Sequence, residues 1–512
     1  MLKIFQSWRS DLPASLVVFI VALPLCLGVG LASTSISGME GMPNPIAGLL
    51  AGIVGGVVAG FLSGSRVGVS GPAAGLITIV ISGIQLLGSF EGFLLAVFLA
   101  GAFQIIAGFC KAGTIGNYFP SSVIKGMLAA IGIMLILKEI PHLIGFDKDF
   151  FGDESFFQKD GHNTLSELYF AFLSLNKGSL VIGLFSVVCL LLLDLPAVKK
   201  LVLFKFVPGA LLVVLLSMAL NTGFYHLWPS GYVLPIHRVQ IPQLSAPVDL
   251  FKFLKSPDWS FLSNINVYIV AFTLAIVGSL ETLLSIEATD KLDPMKFTTP
   301  TNRELKAQGL ANMLSGLIGG LPITQVIVRS SANINAGGKS KLSAIIHGLL
   351  LAVSLLFLAP ILNLIPLSVL AAILILIGYK LSKVSLYKQI YKLGLDQFIP
   401  FLGTIIGVLL TDLLKGIGIG IVLSVFFILR KNFQKNIEKS DADDGIVLTL
   451  SEDVNFINKP GLIEQLNNLP EDSKVLIDCS NCKNMDHDVS ELLHDFVTFK
   501  ASNKNIQVTL KK

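Results

Sequence analysis

Charge is scarce in this sequence: 14% of its 512 residues are Asp, Glu, Lys or Arg, where soluble domains carry roughly 25%. With 53% hydrophobic residues and a mean hydropathy of +0.74, that scarcity excludes a soluble protein and makes lipid the solvent for most of the chain. Cysteine is scarce too. Of Cys26, Cys110, Cys189, Cys479 and Cys482 only the last two are close in sequence, as Cys-Ser-Asn-Cys. One such pair without a second does not build a zinc site, and it reads as two thiols in a reducing compartment. No phosphate-binding Gly-rich loop ending in Lys-Ser or Lys-Thr, no His-Glu-x-x-His and no Gly-x-Ser-x-Gly elbow occurs, and the seven histidines form no ligand cluster. An enzyme, a cofactor and a bound metal are therefore not expected, and a net charge of +4 leaves no nucleic-acid footprint.

What is present is a series of long apolar runs from near Pro13 to about Arg430, each near the ~20 residues that span a bilayer. They are uniform rather than alternating, which argues for helices and against a barrel. Gly, Pro and charge punctuation marks spans near 13–33, 45–62, 72–87, 91–110, 119–138, 178–195 and 206–222, then near 264–286, 305–319, 328–338, 341–360, 365–380, 396–412 and 415–430. The basic, apolar N-terminus looks like a secretory signal, but Pro24 interrupts it and further spans follow at once, so it is read as the first span. Two sets of seven spans, an odd number each, run in opposite senses through the bilayer, as in the inverted repeats of secondary transporters.

The third span of each set is irregular. SGSRVGVSGPAAGLITIV has Gly71 and Pro72 where a helix should be under way, and GGLPITQVIVRSSANINAGGKSK has Pro322, a β-branched run and Arg329. Both read as an extended strand feeding a half-helix, and such backbone survives at membrane depth only where it lines a protein cavity. With Lys3 and Arg9 cytoplasmic, alternation places Lys199, Lys200 and Lys205, Lys291 to Lys306, Lys339 and Lys341, and Lys380 to Lys392 on the same side, and the acidic stretch 147–160 outside. Both termini are expected in the cytoplasm. Residues 1–430 make the membrane domain, 431–444 a linker and 445–512 a small α/β domain with strands at GIVLTLSE, KVLIDCS and IQVTLKK.

A buried arginine costs about 2.5 to 3.5 kcal/mol, so Arg329 needs compensation. Two half-helix N-termini, each carrying about half a positive charge, would form an anion cradle beside it, to which Ser70, Ser330 and Ser331 could add donors. The plainer alternative is a structural arginine, paired or snorkelling. Glu281, with Ser285 one turn later on the same helical face, is the second intramembrane charge. A proton or sodium ion there would couple transport to a cation, whereas a permanent pair with Arg329 would only hold the core together. Pro24, lacking an N–H, is expected to break the first span beside Leu25 and Cys26.

The stretches SWRSDLPASLVVFIVALP, LSGSRVGVSGPAAGL, GSLETLLSIEATD and GLPITQVIVRSSANINAGGKSKLSAI, with the C-terminal α/β segment, resemble the SulP family of anion transporters, relatives of sulfate permeases, over nearly the whole chain. The resemblance implies a seven-plus-seven inverted repeat with core and gate domains, an elevator movement, a homodimer in the inner or plasma membrane and a STAS-like C-terminal domain. It places an anion site at Pro24, Leu25 and Cys26, at Gly71, Pro72 and Ala73, and at Val328, Arg329 and Ser330, with Glu281 and Ser285 for a coupling proton or sodium ion. Bicarbonate or sulfate is the implied cargo; a dicarboxylate or chloride carrier and a non-transporting sensor are the alternatives. Many members have Gln where this chain has Leu25. Ile327 and Arg329 stand where sodium-dependent members have a hydroxyl and a small residue, which favours a proton. Asp486 is followed by His487 and Asp488, not by the serine of a STAS phosphorylation switch.

Overall fold

The computed structural model describes residues 7–34, 46–147, 156, 163–195, 198, 208–241, 250–435, 437–442, 445–454, 458–501 and 504–511. Lys3, Lys199, Lys200 and Lys205, and the acidic stretch 148–160 apart from Phe156, lie outside them. The chain divides into two units, residues 1–392 with 401–420 and residues 393–400 with 421–512.

The first unit is helical. It opens with α1 (Trp8–Thr34), α2 (Ile46–Val54), a three-residue strand β1 (Ser70–Pro72), α3 (Ile77–Leu87), α4 (Phe90–Phe109), α5 (Ser121–Leu143), α6 (Thr164–Leu173), α7 (Lys177–Leu193) and α8 (Gly209–Leu227). It continues with α9 (Ile265–Leu292), α10 (Thr301–Ile318), β2 (Ile323–Gln325), α11 (Ile327–Asn335), α12 (Leu342–Val353), α13 (Leu367–Leu381) and α14 (Val384–Tyr391). After these come α15 (Leu395–Leu410) and α16 (Leu413–Lys435). Among the described residues seven helices are long and apolar enough to cross a membrane, or up to eight if α6 and α7, bent by 115°, form one span. Ile46–Leu62, Ala74–Leu87 and Leu395–Leu410 are apolar but shorter. The chain is a polytopic helical membrane protein.

Local sequence sets the helix ends. Gly88 takes a left-handed φ of 66° that closes α3, and Ser89 then caps α4 by accepting from the Gly92 N–H at 3.1 Å. Helices also meet at backbone distance. A β-carbon on Gly309 of α10 would lie 2.5 Å from the Gly101 carbonyl of α4, so only paired glycines admit this approach. The break expected at Pro24 does not occur: α1 runs through both Pro13 and Pro24. Proline removes one N–H, but the helix around it is buried among its neighbours, with Leu23 1% and Cys26 0% exposed, and packing holds the turn together.

In the second unit a sheet runs in the order β3 (Ile437–Ala442), β4 (Gly445–Leu450), β5 (Lys474–Asp478), β6 (Gln507–Lys511), antiparallel at the first pair and parallel at the other two. Helices α17 (Lys459–Asn467) and α18 (His487–Asp495) join the parallel strands, and Leu448, Ile477, Leu462 and Val489 form its core. Residues 431–444, expected as a linker, hold the end of α16 and strand β3. Its charged composition reads as coil, yet it pairs along the whole of β4 from Ile437↔Leu450 to Ala442↔Gly445, and a charged strand is well suited to a sheet edge.

Candidate anion site

The two irregular segments meet. β1 and β2 pair antiparallel, Ser70 opposite Gln325, Gly71 opposite Thr324 and Pro72 opposite Ile323, and the Val326 N–H extends the ladder to the Val69 carbonyl at 2.9 Å. Each strand then turns into a helix, β1 through Ala74–Leu76 into α3 and β2 into α11. The first N–H groups of a helix have no acceptor within it, so both ends present donors and positive dipole.

Arg329, in the first turn of α11, is 1% exposed. Its Nη2 donates to the Pro72 carbonyl at 3.2 Å, while among the described residues Nε and Nη1 have no hydrogen-bond partner. A guanidinium offers five N–H bonds, and one carbonyl does not satisfy them. Residue 71 must be glycine for this geometry, because a β-carbon there would collide with Nη1.

A polar stripe on α10, not singled out in the sequence, holds the strands in place. Glu304, Gln308 and Asn312 recur every fourth residue and are 0%, 0% and 3% exposed. Asn312 donates to the Ile323 carbonyl at 2.9 Å and accepts from its N–H at 2.6 Å, fixing β2, and also donates to Gln104 at 2.8 Å. Gln308 Nε2 donates to Ser70 Oγ at 2.6 Å and Glu304 Oε1 at 2.9 Å, fixing β1. Glu304 Oε2 accepts from Ser63 Oγ at 2.5 Å and the Gly64 N–H at 2.9 Å. The signal was available: polar residues at i, i+4 and i+8, starting one residue before the expected span 305–319 and continuing into it.

A cavity lies at the half-helix ends, and Leu25, Pro72, Val328 and Arg329 line it together. Other expected residues stand behind its wall. Cys26 packs against Gly52 of α2, and Ala73 is the extended residue before the Ala74 turn. Glu281 sets its carboxylate against the first turn of that half-helix, its oxygens 3.3 and 3.4 Å from where a β-carbon on Gly75 would be. Ser285, 4% exposed, is one turn further along α9, and Pro24 lies within α1. The hydroxyls of Ser330 and Ser331, expected as anion donors, donate instead to the Val326 and Val328 carbonyls, both at 2.8 Å. Ser330 Oγ also accepts from the Val69 N–H at 3.0 Å. In a half-helix the carbonyl three or four residues back is always within reach of a serine hydroxyl.

The opposite wall is α5, which brings Lys138 and Glu139 to the cavity. Glu139 is 2% exposed and among the described residues its Oε2 has no hydrogen-bond partner; Lys138 faces Glu167 at 3.8 Å. Just beyond, Asp147 receives His142 Nδ1 at 2.7 Å and His237 Nδ1 at 2.6 Å. An ionised carboxylate only accepts, so both imidazoles carry their proton on Nδ1. Burial pushes the Asp147 carboxyl up, but the two histidine bonds outweigh it and hold it below the usual carboxylate range.

The family model described as the sulfate permease family matches residues 8–404. YvdB of Bacillus subtilis (strain 168), provisionally named a sulfate transporter, is 29% identical over 429 residues, 83% of this chain and 74% of that one. The bicarbonate transporter BicA of Picosynechococcus sp. is 26% identical over 460 residues, 88% of this chain and 75% of that one. The solved structure of the murine Solute Carrier 26 family member A9 anion transporter in its inward-facing state has the same fold, with a TM-score of 0.66 at 17% identity over 98% of this chain and 85% of that one.

Proposed function

The chain belongs to the sulfate permease family, and from that membership we propose that it carries bicarbonate or sulfate across the inner or plasma membrane by secondary active transport. The observation that carries the reading is Arg329, buried where both half-helices begin with two nitrogens that have no hydrogen-bond partner among the described residues. The site we assign is Leu25, Pro72, Val328 and Arg329 at the cavity wall, supported by Pro24, Cys26, Gly71, Ala73 and Ser330, which shape the backbone around it.

Charge balance suggests how a cation enters. Arg329 contributes one positive charge and the two helix ends together about one more. With Glu281 protonated the cradle matches a dianion such as sulfate, and with Glu281 ionised it matches bicarbonate. Glu281 and Ser285 are therefore assigned to coupling, to a proton for sulfate, with sodium as the competing ion. We further propose fourteen spans in an inverted seven-plus-seven repeat, counting the short helices and half-helices. In an elevator movement the half-helix core would carry the anion past a gate that includes α5. The C-terminal residues 445–512 form a STAS-like cytoplasmic domain, with both termini on that side and two chains forming a homodimer in the lipid.

Uptake of labelled bicarbonate and sulfate into proteoliposomes under imposed proton or sodium gradients tests this. One anion should accumulate, Arg329→Ala should abolish its uptake, and Glu281→Gln should separate uptake from the cation gradient. Normal uptake by a folded Arg329→Ala protein would remove the site assignment.

A further inference from the structure

Six lysines line a second, open cavity away from the anion site. Lys125 comes from the start of α5, Lys291 from the last turn of α9 and Lys380 from the last turn of α13, while Lys383 and Lys392 flank α14 and Lys388 lies within it. Carboxylates answer two of them: Glu287 meets Lys291 and Asp194 meets Lys380, both at 3.2 Å. Among the described residues Lys125, Lys383, Lys388 and Lys392 have no ion pair. A general bias of lysine toward one membrane face scatters charges along loops; here four separate segments bring them to one concavity. Ammonium groups held together repel one another unless an anion sits between them.

The rest of the lining says which anion. Leu128, Leu292, Leu381 and Leu386 share the cavity with the lysines, and α14 leaves Val384 and Tyr391 66% and 62% exposed, the pattern of a helix lying in a membrane interface. A free phosphate needs no leucines, whereas a phosphate that carries acyl chains does. We propose that this cavity binds the phosphate headgroup of an anionic phospholipid, with Lys125, Lys383, Lys388 and Lys392 as the contacts. Such a headgroup bridges α5, which also walls the anion cavity, to α14. Its effect on transport rate rests on the elevator reading above; its binding does not.

The test is native mass spectrometry of the purified full chain titrated with phosphatidylglycerol, phosphatidylcholine or soluble tripolyphosphate, paired with anion uptake in vesicles of each lipid. Phosphatidylglycerol should be retained more than about tenfold over phosphatidylcholine. Joint substitution of Lys125, Lys383, Lys388 and Lys392 by Gln should erase that preference, and joint substitution by Arg should keep it. If the Gln variant unfolds, Lys383→Gln with Lys388→Gln, both at exposed positions, should lower the preference in part. Equal retention of the two lipids, or an unchanged preference in the Gln variants, overturns the proposal. So does tripolyphosphate binding at concentrations that match the lipid, which would make free phosphate the ligand. A raised KM for the transported anion in pure phosphatidylcholine, with no lipid preference, overturns it too and makes the lysines a collecting vestibule for the cargo. Loss of uptake with lipid preference intact leaves binding established and counts only against the transport reading.

Discussion

Gly71 and Arg329 compete for one position: Nη1 of the guanidinium lies where a β-carbon on residue 71 would have to be. The first strand thus accommodates the second half-helix's charge, and two residues from opposite halves of the chain define one site. Gly71→Ala should displace the guanidinium from the cavity. Anion uptake is expected to fall by at least about tenfold, roughly the loss of one charge-assisted contact, while thermal unfolding in detergent shows a folded protein. Uptake at the wild-type rate would mean that Arg329 does not act from this position.

Asn312 closes two hydrogen bonds with the backbone of Ile323. Asn312→Ala leaves a buried N–H and a buried carbonyl unpaired, at about 1 to 3 kcal/mol each. The melting temperature should drop by several degrees, and more than for Ser315→Ala, whose hydroxyl meets the single carbonyl of Leu321 at 2.7 Å. Equal melting of wild type and Asn312→Ala would show that α10 does not hold β2.

Glu139 places a carboxylate in the same cavity as Arg329. At alkaline pH, where this buried carboxyl is ionised, removing its negative charge without changing its shape should favour an entering anion, so Glu139→Gln is expected to lower KM severalfold there with the fold intact. An unchanged or raised KM would show that the carboxylate does not face the transported anion.

Asp147 has a depressed carboxyl pKa in the folded protein because His142 and His237 donate to it. The stability it contributes is therefore complete above its unfolded value, near pH 4, and is lost as pH falls through the lower folded value. Asp147→Asn should melt below wild type at pH 7, with the gap closing under acid. A gap of the same size at pH 3 would rule out an ionised Asp147 as its source.

The half-helices were legible because Gly71, Pro72 and Pro322 contradict an apolar span so openly that extended backbone is the remaining reading. Arg329 was legible for the same reason, as a charge with no cheap place to go. The α10 stripe was not, because Glu304, Gln308 and Asn312 each look tolerable in a span, and their shared face matters only once β1 and β2 lie against it. Pro24 misled in the other direction: its missing N–H is a local fact, and the burial that keeps α1 continuous is a tertiary one. Lys138 and Glu139 sat at the end of an expected span, where charge passes for an interface marker. Strand β3 was hidden by its charge, since its pairing with β4 uses backbone alone.

The pairing of Ser70 with Gln325 also orders events during synthesis. A ribosome adding about 5 to 20 residues per second delivers β2 some tens of seconds after β1 has entered the bilayer. Until then the edge of β1 waits without its counterpart, in a solvent that offers backbone no substitute. The nascent first half must shelter that strand within its own helices or with the insertion machinery, and a chain cut before Gln325 has no means of completing it.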